Sequence, residues 1–161
     1  MKTSKMVENQ LDKHIEAFLK LTRKEVPKGI TYAEFLEDKM LIILAIRRGI
    51  PYSLFDLIQH YTPFTEKDWA NFLDVSTKSL QRYKIAKEHQ FRSIHSEKII
   101  EMSEVTKVGL DVFGSSDKLR AWLNTPNFAL GKTMPIDLLK DSYGKDLVMG
   151  ELIRINHGIL V

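Results

Sequence analysis

Residues 66–85 read EKDWANFLDVSTKSLQRYKI, with apolar side chains at Trp69, Leu73, Val75, Leu80 and Tyr83 and a small one at Ala70. Two short helices crossing through a three- or four-residue turn need this pattern: apolar contacts on both and a small residue where they approach. Thr65 stands three positions before Asp68, a capping-box arrangement for the first helix, and Ser76 is a good N-cap for the second. Asp74 occupies a turn position where glycine is common, and aspartate tolerates a left-handed backbone better than most residues. With Leu80 and Tyr83 facing inward, Thr77, Lys78, Gln81, Arg82 and Lys84 point outward, and Ser76 lies beside them at the helix entrance. Gln and Arg suit base edges and Lys suits phosphates, so these six residues are candidate DNA contacts of a helix-turn-helix. Any two short amphipathic helices can share the spacing, and the motif alone does not separate the two readings.

Charge supports the DNA reading. Residues 1–92 hold 16 Lys+Arg against 12 Asp+Glu, whereas residues 93–161 hold 8 against 9. Around the second helix, Lys78, Arg82, Lys84, Lys87 and Arg92 face only Glu88 in opposition, a distribution suited to a phosphate backbone as well as to a solvated helix face. The chain of 161 residues, 43% hydrophobic and 28% charged, is long enough for one sizeable core or two small ones. With no cysteine, disulfides, thiolate chemistry and cysteine-ligated zinc are excluded, and a reducing compartment fits. The longest apolar run, residues 40–46, falls far short of the ~20 residues that span a bilayer. No leader is visible in the polar first ten residues, so the expectation is a cytoplasmic protein without membrane contact.

The remaining periodicity is helical throughout, with no alternating strand pattern and no internal repeat. Leu11, Ile15, Phe18, Leu19 and Thr22 form the stripe of a first helix ending before Pro27 and Gly29. A second helix is expected from the capping box Thr31/Glu34 through residues 40–46, stopped by Arg47, Arg48, Gly49 and Pro51. A short helix over residues 53–61 follows. Ser96 is the expected cap of a long helix reaching Phe113, with Ile99, Met102, Leu110 and Phe113 on one stripe and Val105, Val108 and Val112 on another. This helix reads as the spine of a second domain. Ser115 or Ser116 opens a helix carrying Leu119, Trp122 and Leu123, and Pro135 opens another through Leu139. The last helix is expected after Gly144, with Val148, Leu152 and Ile155 on one face and Gly158 at its end.

Catalytic chemistry is not visible. Gly131, Lys132 and Thr133 spell the end of a phosphate-binding loop, but Pro126 occupies the place of its first glycine and no strand leads in, so an ordinary turn is expected. His14, His60, His89, His95 and His157 lack metal-ligand spacing, and no serine sits in a nucleophile elbow. Trp69 and Trp122 occupy apolar helix positions and read as core anchors.

The C-terminal residues carry a resemblance. Val112, Phe113 and Gly114, then Trp122, Leu123, Asn124, Thr125, Pro126 and Asn127, then Ala129, Leu130, Gly131, Pro135, Asp137, Leu138 and Leu139 resemble the toxin-binding domain of the Xre/MbcA/ParS antitoxins. Gly144, Val148, Leu152, Arg154, Ile155, His157 and Gly158 continue it, and Gly49, Ile50, Pro51 with Leu80, Gln81, Arg82 and Tyr83 extend it upstream to about residue 45. The resemblance implies an all-α protein: an N-terminal helical bundle containing an Xre-like helix-turn-helix, followed by a smaller helical toxin-binding domain. The expected division is a DNA-binding domain over residues 45–92 and a toxin-binding domain over 93–161, preceded by a helical extension over residues 1–44 that lies outside the resemblance.

By the same resemblance, the partner is a RES-domain toxin that degrades NAD, held within a type II toxin-antitoxin pair. The antitoxin neutralises the toxin by presenting the C-terminal end of its chain to the active-site cleft, and it represses the shared operon through the helix-turn-helix. The implied toxin contacts are Arg154, Asn156, His157, Gly158, Ile159, Leu160 and Val161, the last three as an apolar plug that could instead fold back on its own domain. A homodimer within a larger toxin-antitoxin assembly, bound to operator DNA, is expected, and no cofactor and no metal. The competing readings are a stand-alone helix-turn-helix regulator with a C-terminal dimerisation or ligand-sensing domain, and a nucleotide-directed enzyme for which no constellation is found.

Overall fold

The computed structural model describes residues 2–23 and 25–158, so Ile159, Leu160 and Val161 lie outside the described residues. Within them the protein is all-α. Helix α1 (Lys2–Thr22) lays Leu11, Ile15, Phe18 and Leu19 against α4 (Tyr52–Tyr61), and it also packs on α2 (Tyr32–Phe35) and α3 (Lys39–Arg48). Next come α5 (Glu66–Leu73), α6 (Thr77–Ala86), α7 (Ser93–Phe113), α8 (Ser116–Leu123), a 3₁₀ turn (Phe128–Leu130), α9 (Pro135–Leu138) and α10 (Ser142–Asn156). Pairing of extended backbone is limited, among the described residues, to two isolated bridges, Pro51 with Gln90 and Asn127 with Thr133.

Three sequence expectations are corrected by the structure. The helix expected from Thr31 through Ile46 is two helices: the Thr31/Glu34 box caps α2 as foreseen, but Asp38 takes an extended backbone and accepts from the Leu41 N–H at 3.1 Å. Aspartate offers the backbone this alternative to helix, and its carboxylate starts α3 instead of continuing α2. Ser96 is not a cap. It lies one turn inside α7, fully buried, where its hydroxyl accepts from the Ile50 N–H at 2.9 Å and donates to the Phe91 carbonyl at 3.3 Å. The third correction concerns Gly144, which does not precede α10 but sits in its first turn. Asp141 is the cap, accepting from the Gly144 N–H at 2.7 Å.

The buried side chains form one continuous cluster. At its centre Trp69 meets Phe55 and Phe64 edge-on at centroid distances of 5.2 and 5.8 Å, and Phe55 meets Phe91 at 5.0 Å. Such edge-to-face pairs add to the burial of large apolar surface. Trp122 is only half-buried and lies against Phe113, 5.6 Å away. Helix α7 packs on α3 and α5 as well as on α8 and α10, so its buried sides serve both halves of the chain. Gly109 lets α8 approach, since a Cβ there would stand 2.4 Å from Leu119 Cδ1.

Candidate nucleic-acid and partner interfaces

Helices α5 and α6 form the pair expected from residues 66–85. Thr65 and Asp68 make the reciprocal cap, with the Asp68 N–H donating to Thr65 Oγ1 at 3.1 Å and the Thr65 N–H to Asp68 Oδ2 at 2.8 Å. Asp74 adopts the left-handed conformation, φ 53° and ψ 45°, and the Val75 N–H donates to the Ala70 carbonyl at 3.0 Å to close the turn. Ala70, Leu73 and Leu80 are buried.

The structure places Ser76, Thr77, Lys78, Gln81, Arg82 and Lys84 together on the exposed surface of α6. They are not equivalent. The Ser76 hydroxyl accepts from the Ser79 N–H at 3.0 Å and is thus committed to the cap. Ser79, which the sequence reading passed over, also receives a 3.4 Å hydrogen bond from Arg82 Nη2, while the Arg82 guanidinium lies 5.7 Å from the Tyr83 ring centroid. The Arg82 guanidinium is therefore held by two contacts, one polar and one with an aromatic ring. Gln81 and Lys84 border a groove whose opposite wall carries Asp56, Gln59, His60 and Glu66. Those carboxylates lower the positive potential around Gln81 and Lys84, and Lys87 also lines a pocket with Asp56, which leaves Lys78 and Arg82 as the more open cations.

A second device missed by the sequence reading holds α6 in place. His89 stacks flat on Tyr83, centroids 3.5 Å apart and planes 4° from parallel, and both rings meet the edge of buried Phe91. Backbone bonds anchor this segment to the turn before α4: the Tyr52 N–H donates to the His89 carbonyl at 2.8 Å and the Phe91 N–H to the Ile50 carbonyl at 2.9 Å. Gly49 makes the approach possible, with φ 91° and room for no Cβ, which would fall 2.4 Å from the Phe91 oxygen. Burial, then the charges of His95 and Arg82, hold the His89 imidazole below its ordinary range, and burial, then Arg92, does the same for His95.

A depressed folded-state pKa means that the unfolded chain takes up protons first as pH falls below about 6.5. Stability contributed by the neutral rings is thus present above that pH and lost below it. Melting temperature is expected to drop between pH 7 and pH 5.5, and to drop less in His89→Phe, which keeps the stack but cannot titrate. A variant with the full wild-type decline would show that His89 plays no part.

At the other end of the molecule, α10 buries Gly144, Val148 and Leu152 and exposes apolar groups on its outer side: Tyr143 is 88% exposed, Leu147 58% and Ile153 46%. Phe128, 82% exposed, projects from the 3₁₀ turn, which packs on α10. Tyr143, Leu147, Gly150, Arg154 and His157 follow one another at intervals of three and four, so they share a helix side. Of the candidate contacts, Asn156, His157 and Gly158 are exposed, with Gly158 at φ 66° turning the chain out of the helix. Arg154 is half-buried, its Nε 3.6 Å from Glu151 Oε2. Sequence periodicity identifies the buried stripe of α10 but gives no weight to the opposite one.

The Gly131–Lys132–Thr133 segment is an ordinary turn, closed by the Lys132 N–H donating to the Asn127 carbonyl at 2.8 Å. Among the described residues no group of three metal-ligating side chains comes together, and no helix is long and apolar enough to cross a membrane.

Residues 109–158 match the family model of the antitoxin Xre/MbcA/ParS C-terminal toxin-binding domain, which spans the end of α7 through α10. A Photorhabdus laumondii protein named Antitoxin Xre is 28% identical over 116 residues, 71% of this chain and 78% of the relative. The structure of the M. tuberculosis MbcT-MbcA toxin-antitoxin complex includes a chain of similar fold, with a TM-score of 0.55 at 20% identity, covering 66% of this chain and 94% of that one. Residues 109–158 are therefore similar to the C-terminal domain of Xre/MbcA/ParS antitoxins, and the chain is all-helical, with a fold similar to that of a chain in the toxin-antitoxin complex.

Proposed function

We propose, from this homology, that the chain is the antitoxin of a type II toxin-antitoxin pair, and that it neutralises a RES-domain, NAD-degrading toxin by covering its active site. The observation that carries the proposal is the match of residues 109–158 to a toxin-binding domain, the same segment that bears the exposed apolar side of α10 and Phe128. Apolar burial at the interface supplies affinity, and Arg154, Asn156, His157 and Gly158 lead Ile159, Leu160 and Val161 into the toxin's cleft. Co-expression tests this reading. Cells producing the RES-domain toxin proposed as the partner are expected to grow when the full chain is supplied and to stop growing when residues 159–161 are deleted. Full rescue by the shortened chain would remove the plug from the mechanism, and no rescue by the intact chain would remove the antitoxin reading.

In the same proposal α5 and α6 serve operon control. Two copies of α6, brought together in a dimer, read neighbouring major-groove half-sites, with Gln81 and Arg82 at base edges and Lys78 and Lys84 at phosphates. Arg82→Ala and Gln81→Ala are each expected to weaken binding to the promoter of the chain's own gene by ~1–3 kcal/mol, while Lys84→Ala mainly flattens the salt dependence. Titration of promoter and random duplexes at two salt concentrations checks this. An equal loss on both duplexes after Arg82→Ala would show that Arg82 reads no bases.

A further inference from the structure

Ile85 is 81% exposed near the end of α6. It follows Lys78 by seven positions, Gln81 by four and Arg82 by three, so it shares their side of the helix. The other large apolar groups of α6 are accounted for: Leu80 is buried and Tyr83 is covered by His89. Ile85 touches the rim of the groove between α4 and α6, yet most of its surface stays open, and its neighbours on the outer face are cationic or amide side chains.

An apolar group in such company has a specific complement on a DNA duplex. Base edges in the major groove present hydrogen-bond donors and acceptors, and thymine alone adds an apolar group, the methyl on its C5. Lys78 and Ile85 are about 10 Å apart along the helix axis, roughly three base pairs at ~3.4 Å each. A helix that sets Gln81 and Arg82 against base edges therefore sets Ile85 against an adjacent base pair. We infer that Ile85 is a specificity-determining residue of the DNA interface, recognising the methyl group of a thymine within about three base pairs of the bases met by Gln81 and Arg82. This rests on the DNA-reading role proposed for α6.

The test uses the intact chain and duplexes spanning the promoter of its own gene, with each thymine of the protected region replaced singly by uracil to remove only the methyl. At one position per half-site, wild-type affinity is expected to fall about fourfold, the worth of one buried methyl group. Ile85→Ala should bind the unmodified duplex several-fold more weakly and show no further loss on the uracil duplex, and Ile85→Val should fall between. Melting temperature and salt dependence should stay those of the wild type. A wild-type chain that binds the promoter but ignores every uracil replacement overturns the inference and leaves DNA reading by Gln81 and Arg82 standing. So does an Ile85→Ala chain that retains the uracil penalty, or whose only change is weaker self-association in sedimentation. Failure of the wild type to bind any promoter duplex defeats the DNA-reading role itself.

Discussion

Gly144→Ala is expected to abolish toxin neutralisation and to lower the melting temperature sharply, while Gly150→Ala, in the same helix, leaves stability unchanged or improved. Gly144 lies in the first turn of α10 and Gly150 in its middle, and their surroundings differ. A Cβ at Gly144 would stand 1.7 Å from the Leu138 carbonyl oxygen and 2.7 Å from its carbon, both backbone atoms of α9. No side chain can swing aside, so α10 must lift from α9 or α9 must unwind. Overpacking of an adaptable site costs ~1–3 kcal/mol, and a contact with fixed backbone belongs at or above that range. The gain in helix propensity from glycine to alanine, about 1 kcal/mol, does not offset it. At Gly150 a Cβ meets nothing within 4 Å, and the propensity gain stands alone. Thermal unfolding of both variants, together with growth rescue by Gly144→Ala, checks the pair. Equal stability would mean that the first turn of α10 is not seated on Leu138.

Trp69→Ala is expected to destabilise the protein by ~3–5 kcal/mol, the range for deleting a buried aromatic. Marginal stabilities of 5–15 kcal/mol make that a large share of the total. Trp69 is fully buried and touches Phe55, Phe64 and Phe72, so the cavity is lined by rings that cannot collapse far without giving up their edge-on contacts. Because Trp69 belongs to α5, the loss should appear first as weakened promoter binding at temperatures where α10 still engages the toxin. Denaturant unfolding measures the stability change. A loss under 1 kcal/mol would place Trp69 outside the core that orients α6.

The features legible in the sequence are those set by neighbours three or four positions away. Thr65 with Asp68, Ser76 as a cap, Asp74 in the left-handed turn and Pro135 in an opening turn each follow from local chemistry, and each forms as read. Ser96 was misread because its hydroxyl answers the N–H of Ile50, 46 positions earlier. Gly144 was misread for the same reason: its glycine is required by Leu138 on another helix, not by the end of its own. The stack of His89 on Tyr83 depends on residues 49–52 pairing with residues 89–91, which no periodicity encodes. For the candidate sites, the outer face of α6 could be listed residue by residue, whereas the division of labour on it could not. Ser79 steadies Arg82, and Asp56 and Glu66 bias the phosphate side. The exposed side of α10 and Phe128 went unnoticed because apolar residues at scattered positions in sequence become a surface only once the helices are packed.

The proposed inhibition of a RES-domain toxin by direct binding makes toxin-dependent loss of NAD the quantity to measure. The purified toxin proposed as the partner is incubated with NAD while the full chain is titrated in. NAD loss is expected to fall linearly and to stop at a fixed stoichiometric ratio of chain to toxin. NAD loss that continues unchanged in the presence of excess chain would rule out inhibition by direct binding.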